Sequence, residues 1–138
     1  MSFENASKIE RWRKVGANYD FAVELVHWSE TYDSSFGEGR ERWNVEAYVY
    51  NEHPLFHRLR NATKMLDKVF ARMPLHGGNT LLRKHRSPKT GNIVSIQFGS
   101  DYHHICDDHF THYKAPNDEL LRDAQELFDY LSQDNFDA

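Results

Sequence analysis

Two strand-like runs, Asn79-Thr80-Leu81-Leu82-Arg83-Lys84 and Asn92-Ile93-Val94-Ser95-Ile96-Gln97-Phe98, flank the segment Ser87-Pro88-Lys89-Thr90-Gly91. A cluster of turn formers between two such runs specifies a β-hairpin. With the turn centred between Pro88 and Lys89, residue 79 lies opposite 98 and, by extension, 76 opposite 101. His76 and Asp101 then emerge at the same end of one hairpin, with Gly77, Gly78 and Gly99 beside them. Glycine lets the backbone turn sharply or approach a ligand closely. This convergence is the strongest pointer to a site.

The remaining elements follow from periodicity. Trp43, Val45, Ala47 and Val49 alternate with Asn44, Glu46, Tyr48 and Tyr50, the period of a strand with one buried face. Residues 21–28 are apolar and β-rich, and with 43–50 they make a hairpin with a long polar loop. Ile9, Trp12 and Val15 stand at helical spacing and Gly16 supplies a stop, which predicts a first helix over 5–16. After His53-Pro54, apolar residues at 55, 59, 62, 66, 69 and 73 predict a helix ended by Pro74. Pro116-Asn117-Asp118-Glu119 opens a last helix over 118–131. On it Leu120, Leu121, Ala124, Leu127, Phe128 and Leu131 share one face, and the tail from Gln133 to Ala138 is expected to fray. The order implies an α+β fold, an antiparallel sheet of about four strands in two hairpins with two or three packed helices. Residues 1–138 are read as a single domain.

Composition narrows the function class. The net charge of −4 lacks the basic excess of a general nucleic-acid binder. A single cysteine, Cys106, precludes an intramolecular disulfide and fits a reducing compartment. No stretch approaches the ~20 apolar residues of a membrane span, and Met1-Ser2-Phe3-Glu4-Asn5 does not start a secretory signal. A soluble cytoplasmic protein is expected. Nine histidines are the oddity, five of them between 76 and 109.

Asp101, His104 and Asp107 are spaced by three, so on a helical turn they share a face that His76 reaches from the other strand. Imidazoles with carboxylates suit a divalent metal such as Zn, Mn or Fe, held by His76, Asp101 and His104. The same groups with Asp107 equally suit metal-free acid/base catalysis. Their ordinary alternative is a turn cap at Asp101, a core histidine at 104 and a solvated cap at 107. Gly77 and Gly78 can place backbone N–H groups around an anion, or simply make a tight turn after Pro74. Arg83, within the basic run at 83–86, can receive a phosphate or lie on a solvated hairpin. His53 sits near the same rim or packs at the helix start. Cys106 is expected to be small and buried, and Trp12, Trp28 and Trp43 to lie in the core.

Three pieces resemble an uncharacterised family of small tailed-bacteriophage proteins. They are Trp43 with its strand and His53-Pro54-Leu55-Phe56, then His76-Gly77-Gly78-Asn79-Thr80, then Phe98-Gly99-Ser100-Asp101 through His104 to Asp107. The similarity spans about residues 43–109. Tyr102-His103 and Cys106 depart from the family pattern, where Cys-Ala and glycine are commoner. By position, His53, His76, Gly77, Gly78, Asp101, His104 and Asp107 match its motif residues. The resemblance brings no established activity. Two functions are therefore weighed. One is a phage accessory hydrolase acting on a nucleotide or other phosphoester, metal-dependent or not. The other is a non-enzymatic host-takeover or counter-defence protein that binds a host protein or sequesters a small nucleotide signal. Either would act in the host cytoplasm, as monomer or homo-oligomer.

Overall fold

A computed structural model describes residues 8–31, 37–104 and 106–136. It is an α+β arrangement with one five-stranded antiparallel sheet in the order β1-β2-β3-β5-β4. The strands are β1 (Glu10–Val15), β2 (Phe21–Ser29), β3 (Glu41–Tyr50), β4 (Leu81–Arg86) and β5 (Ile93–Asp101). Two α-helices, α1 (Phe56–Asn61) and α2 (Asp118–Leu131), join the same apolar cluster as one face of the sheet. On that face Phe21, Val23, Leu25, Trp43, Val45, Ala47, Val49, Ile96 and Phe98 are buried. The alternation seen in β3 therefore points its odd-numbered residues inward. No helix among the described residues is long and apolar enough to cross a membrane.

The first expected helix is instead the edge strand β1, with residues 5–7 outside the described residues. Every residue of β1 is exposed, and Arg11 and Arg13 both reach Glu24 on β2, at 2.9 and 2.8 Å. Charged side chains on an outer strand discourage further edge pairing. The helix expected from 55 to 73 is broken. After α1 the backbone of Ala62 is extended, and only a 3₁₀ turn at Lys68–Phe70 follows, capped where the Asp67 side chain accepts the Val69 N–H. Leu55, Phe56, Leu59, Ala62, Phe70 and Met73 still enter the core, while Leu66 stays 82% exposed. Helix α2 has the expected bounds, with the Asn117 side chain accepting the Leu120 N–H. Leu121, however, is exposed, and the tail is not wholly free: Phe136 packs against the core and its carbonyl accepts from Arg58.

The central hairpin forms, but in another register. Leu82 pairs with Phe98 and Leu81 with Gly99, so residue 79 does not face 98. The turn runs to Asn92, whose carbonyl accepts the Ser87 N–H, and an irregularity at His85/Arg86 adds to the offset. This register joins two apolar side chains, whereas the expected one would set Asn79 against Phe98.

At the far end of the sheet, buried His27 lies between Glu41 and Glu10, at 2.8 and 2.9 Å, and stacks on Trp43. Burial alone pushes the Glu41 carboxyl up, but the Ser29 hydroxyl and His27 donate to it and bring it below the ordinary glutamate range. A carboxyl depressed in the folded state stabilises above its unfolded value, about 4.3, and that stability is lost as pH falls. Urea titrations between about pH 6 and about pH 3 are expected to show a smaller acid loss in Glu41→Gln than in the unsubstituted protein. Equal losses would remove Glu41 from the acid response.

Candidate functional site

The chain before β4 leaves the ladder by side-chain pairing. The Thr80 N–H donates to the Gly99 carbonyl, the Gly99 N–H to the Asn79 side chain and the Asp101 N–H to the Thr80 hydroxyl. Gly78 and Gly77 then take positive φ, 90° and 68°, a region that disfavours side-chain-bearing residues. This turn swings His76 over the end of β5, where its ring stacks on Tyr102 at 4.2 Å and 8° and meets Phe110 edge-on. Tyr102 and Phe110 are both 1% exposed, so the imidazole rests on a fixed floor. The Tyr102 hydroxyl donates to Asp123 of α2 at 2.6 Å. Burial and that carboxylate push the phenol far above its ordinary range.

The other half of the site is a tight turn. The Asp107 N–H donates to the His104 carbonyl, and the His104 N–H returns to Asp107 Oδ2 at 2.9 Å. Asp107 Oδ2 also meets His104 Nδ1 at 3.0 Å, and its Oδ1 meets His76 Nε2 at 2.7 Å. Asp107 is buried, whereas the two imidazoles are partly open to solvent. Burial by itself raises the Asp107 carboxyl. The His104 backbone N–H and the His76 imidazole outweigh it and hold the group below the ordinary aspartate range. The site therefore centres on an ionised carboxylate between two imidazoles.

One ligand atom from each of His76, His104 and Asp107 lies within 4.8 Å of the others. Two nitrogens and an oxygen suit Zn, Mn or Fe, and three protein ligands leave a coordination position for water or substrate. Asp101 is not in this set. It stands at the rim, its Oδ1 3.6 Å from His104 Nε2 and its side chain 41% exposed. The expected ligand trio thus exchanges Asp101 for Asp107. No family model, curated protein or solved structure matches the chain. The site is accordingly read from its own chemistry.

Other expected participants lie elsewhere. His53 is buried, with Nε2 2.9 Å from the Leu131 carbonyl and Nδ1 accepting the Leu55 N–H, so both ring nitrogens tie α1 to the end of α2. Arg83 is exposed and pairs with Gln97 within the hairpin. Cys106 is exposed rather than buried. Trp43 is core, Trp28 is half-buried and Trp12 is 39% exposed. Tyr102, Phe110 and Asp123 support the site, a role that the sequence analysis gives to none of them. An aromatic immediately after Asp101 was their one legible trace.

Gly77 and Gly78 give a paired test. A Cβ on Gly77 would lie 2.9 Å from His104 Cε1, whereas one on Gly78 would meet open space. Both substitutions strain a positive φ, at about 1–2 kcal/mol. Gly77→Ala is expected also to displace His104 and weaken zinc retention, while Gly78→Ala keeps it. Elemental analysis of both purified variants, with denaturant titration alongside, checks this. Equal zinc content would mean that the close approach to His104 has no bearing on the site.

Proposed function

We propose that the chain is a metal-dependent hydrolase acting on a nucleotide or other phosphoester. The observation that carries this reading is the convergence of His76, His104 and buried Asp107 at a partly open rim. A divalent ion held there would lower the pKa of a bound water and polarise a phosphoryl oxygen. Asp101, whose Oδ1 is 3.6 Å from His104 Nε2 at the rim, would be the base that takes a proton from such a water. The positive-φ turn at Gly77-Gly78 lies next to His104, where its backbone can approach a phosphate closely.

A second reading has its own support. Both oxygens of Asp107 already serve His76 and His104, so the array is satisfied as it stands. A cluster of that kind suits a rigid rim in a non-enzymatic protein that captures a host protein or a nucleotide signal. One experiment separates the two. The protein is stripped with chelator, reloaded with Zn, Mn or Fe, and assayed on bis(p-nitrophenyl) phosphate and a nucleotide panel, with thermal shift in parallel. Metal-dependent turnover that His104→Ala abolishes is the expected result. Thermal stabilisation by a nucleotide without turnover, and lost in His104→Ala, would favour the binder, and no metal uptake at all would overturn the hydrolase.

A further inference from the structure

The sheet has two edges, and they differ in charge. Strand β1 carries both signs, with Glu10 beside Arg11, Arg13 and Lys14. Strand β4, at the other edge, has β5 as its only strand neighbour. Among the described residues no backbone hydrogen bond joins 81–86 to anything outside that ladder. An edge strand presents a row of unpaired N–H and C=O groups, a template for one more strand.

From 79 to 98 the hairpin holds Arg83, Lys84, Arg86 and Lys89 and no aspartate or glutamate, in a chain of net charge −4. Lys84 donates to the Arg60 carbonyl at 2.7 Å and Arg86 to the Gly91 carbonyl at 3.0 Å. Those acceptors are neutral, and among the described residues none of the four cations forms an ion pair with a carboxylate. Arg83 and Arg86 are exposed. A second copy does not suit this edge, because antiparallel pairing of β4 with itself about Arg83 and Lys84 sets cation against cation. A strand bearing carboxylates does suit it.

The two faces of β4 set the pattern of that strand. Arg83 pairs with Gln97 and His85 with Ser95, on the face turned away from the core. Leu82 pairs with Phe98 and packs, half-buried, against the core. The segment after α1 is tied to β4 and the chain before it: Lys84 reaches Arg60, and the Asn79 side chain donates to the Met65 carbonyl at 2.9 Å. Met65 and Leu66 are both exposed. Successive side chains of a strand point to opposite faces, so an added strand offers one set of residues to each.

We propose that β4 is a docking edge for an extended acidic segment of another protein, in which carboxylates alternate with apolar residues. The backbone of the segment pairs with the open edge, its carboxylates meet Arg83 and Arg86, and its apolar residues lie beside Leu82 and the Met65-Leu66 step. In strand addition the main-chain bonds give affinity and the alternate side chains give specificity. The cluster of His76, His104 and Asp107 takes no part.

Fluorescence anisotropy in the presence of a chelator tests it, with a labelled, end-blocked octapeptide of alternating glutamate and valine as probe. Saturable binding is expected. Arg83→Glu and Arg86→Glu are each expected to weaken it by at least about tenfold, because like charges then face one another. His104→Ala is expected to leave it unchanged. Two further peptides are N-methylated, one at every glutamate and the other at every valine. One of the two lacks the N–H groups that face β4 and is expected to bind at least about tenfold more weakly than the parent. Both arginines are exposed, so their variants should fold, which far-ultraviolet circular dichroism would check. No binding at millimolar peptide, parental affinity in both N-methylated forms, or unaltered binding in Arg83→Glu would each overturn the proposal. Equally tight binding of octathymidylate would assign the charge to nucleic acid, and loss of peptide binding in His104→Ala would move the peptide to the other site. Either result would overturn it as well.

Discussion

Asp107→Asn is expected to abolish divalent-metal binding and any turnover that depends on it, with at least about a hundredfold loss of zinc affinity. The substitution preserves volume, so the effect comes from one changed atom. Asp107 Oδ1 serves His76, and Oδ2 serves both the ring and the backbone N–H of His104. An amide offers one acceptor oxygen and one NH2 group. Turned one way, the NH2 meets the His104 backbone N–H; turned the other, it meets His76 Nε2, which accepts it only in the Nδ1–H tautomer. Either way the buried negative charge is gone, and the charge-assisted hydrogen bonds to it are weakened, so some stability is lost as well. Zinc titration of apoprotein, with urea denaturation of the same samples, reads both effects. Because imidazole ligands must be neutral to coordinate, zinc affinity of the unsubstituted protein should also decline on acidification. Full zinc retention by Asp107→Asn would remove this carboxylate from the ligand set and return Asp101 to consideration.

That exchange of aspartates shows where sequence patterns stop being informative. Spacing by three treats 101, 104 and 107 alike. What separates them is the end of β5. Asp101 is still the last strand residue, paired with Asn44, while Asp107 closes a turn onto His104 and is buried. His76 arrived at the site although the expected register failed. The glycine turn brings it there, rather than ladder pairing with residue 101. The turn formers at 87–91 announced a hairpin but not its centre, and a slip of an odd number exchanges the two faces. The meeting of Leu82 with Phe98 decides between registers, and that is a tertiary contact. Strand β3 and helix α2 were legible because each buries one side in a regular period. Strand β1 buries none of its residues, so it carries no such alternation, and Ile9, Trp12 and Val15 fit a helix by coincidence. Most of the apolar residues from 55 to 73 enter the core, but from two short pieces instead of the one helix that their spacing predicts. His53, expected near the same rim, has both its ring nitrogens committed to the fold.

Leu127→Ala is expected to destabilise the protein by about 2–5 kcal/mol. Leu127 is fully buried, between Leu120 and Leu131 on the face that α2 lays over β2 and β3. Truncation removes the transfer free energy of the lost methyl and methylene groups and leaves a cavity that the sheet beneath cannot readily fill. The exposed neighbour Leu121 supplies the control, since Leu121→Ala should stay within about 0.5 kcal/mol. The consequence reaches the site. Helix α2 carries Asp123, which accepts the Tyr102 hydroxyl, and the Tyr102 ring is the floor under His76. A loosened α2 therefore loosens the support of His76, one of the proposed metal ligands, and zinc affinity should fall together with stability. Tyr102→Phe separates the two effects, because it deletes the hydroxyl link to Asp123 while keeping the ring beneath His76. Urea titration of all three variants measures the stabilities. A Leu127→Ala loss no larger than that of Leu121→Ala would mean that α2 is not seated on the sheet as described.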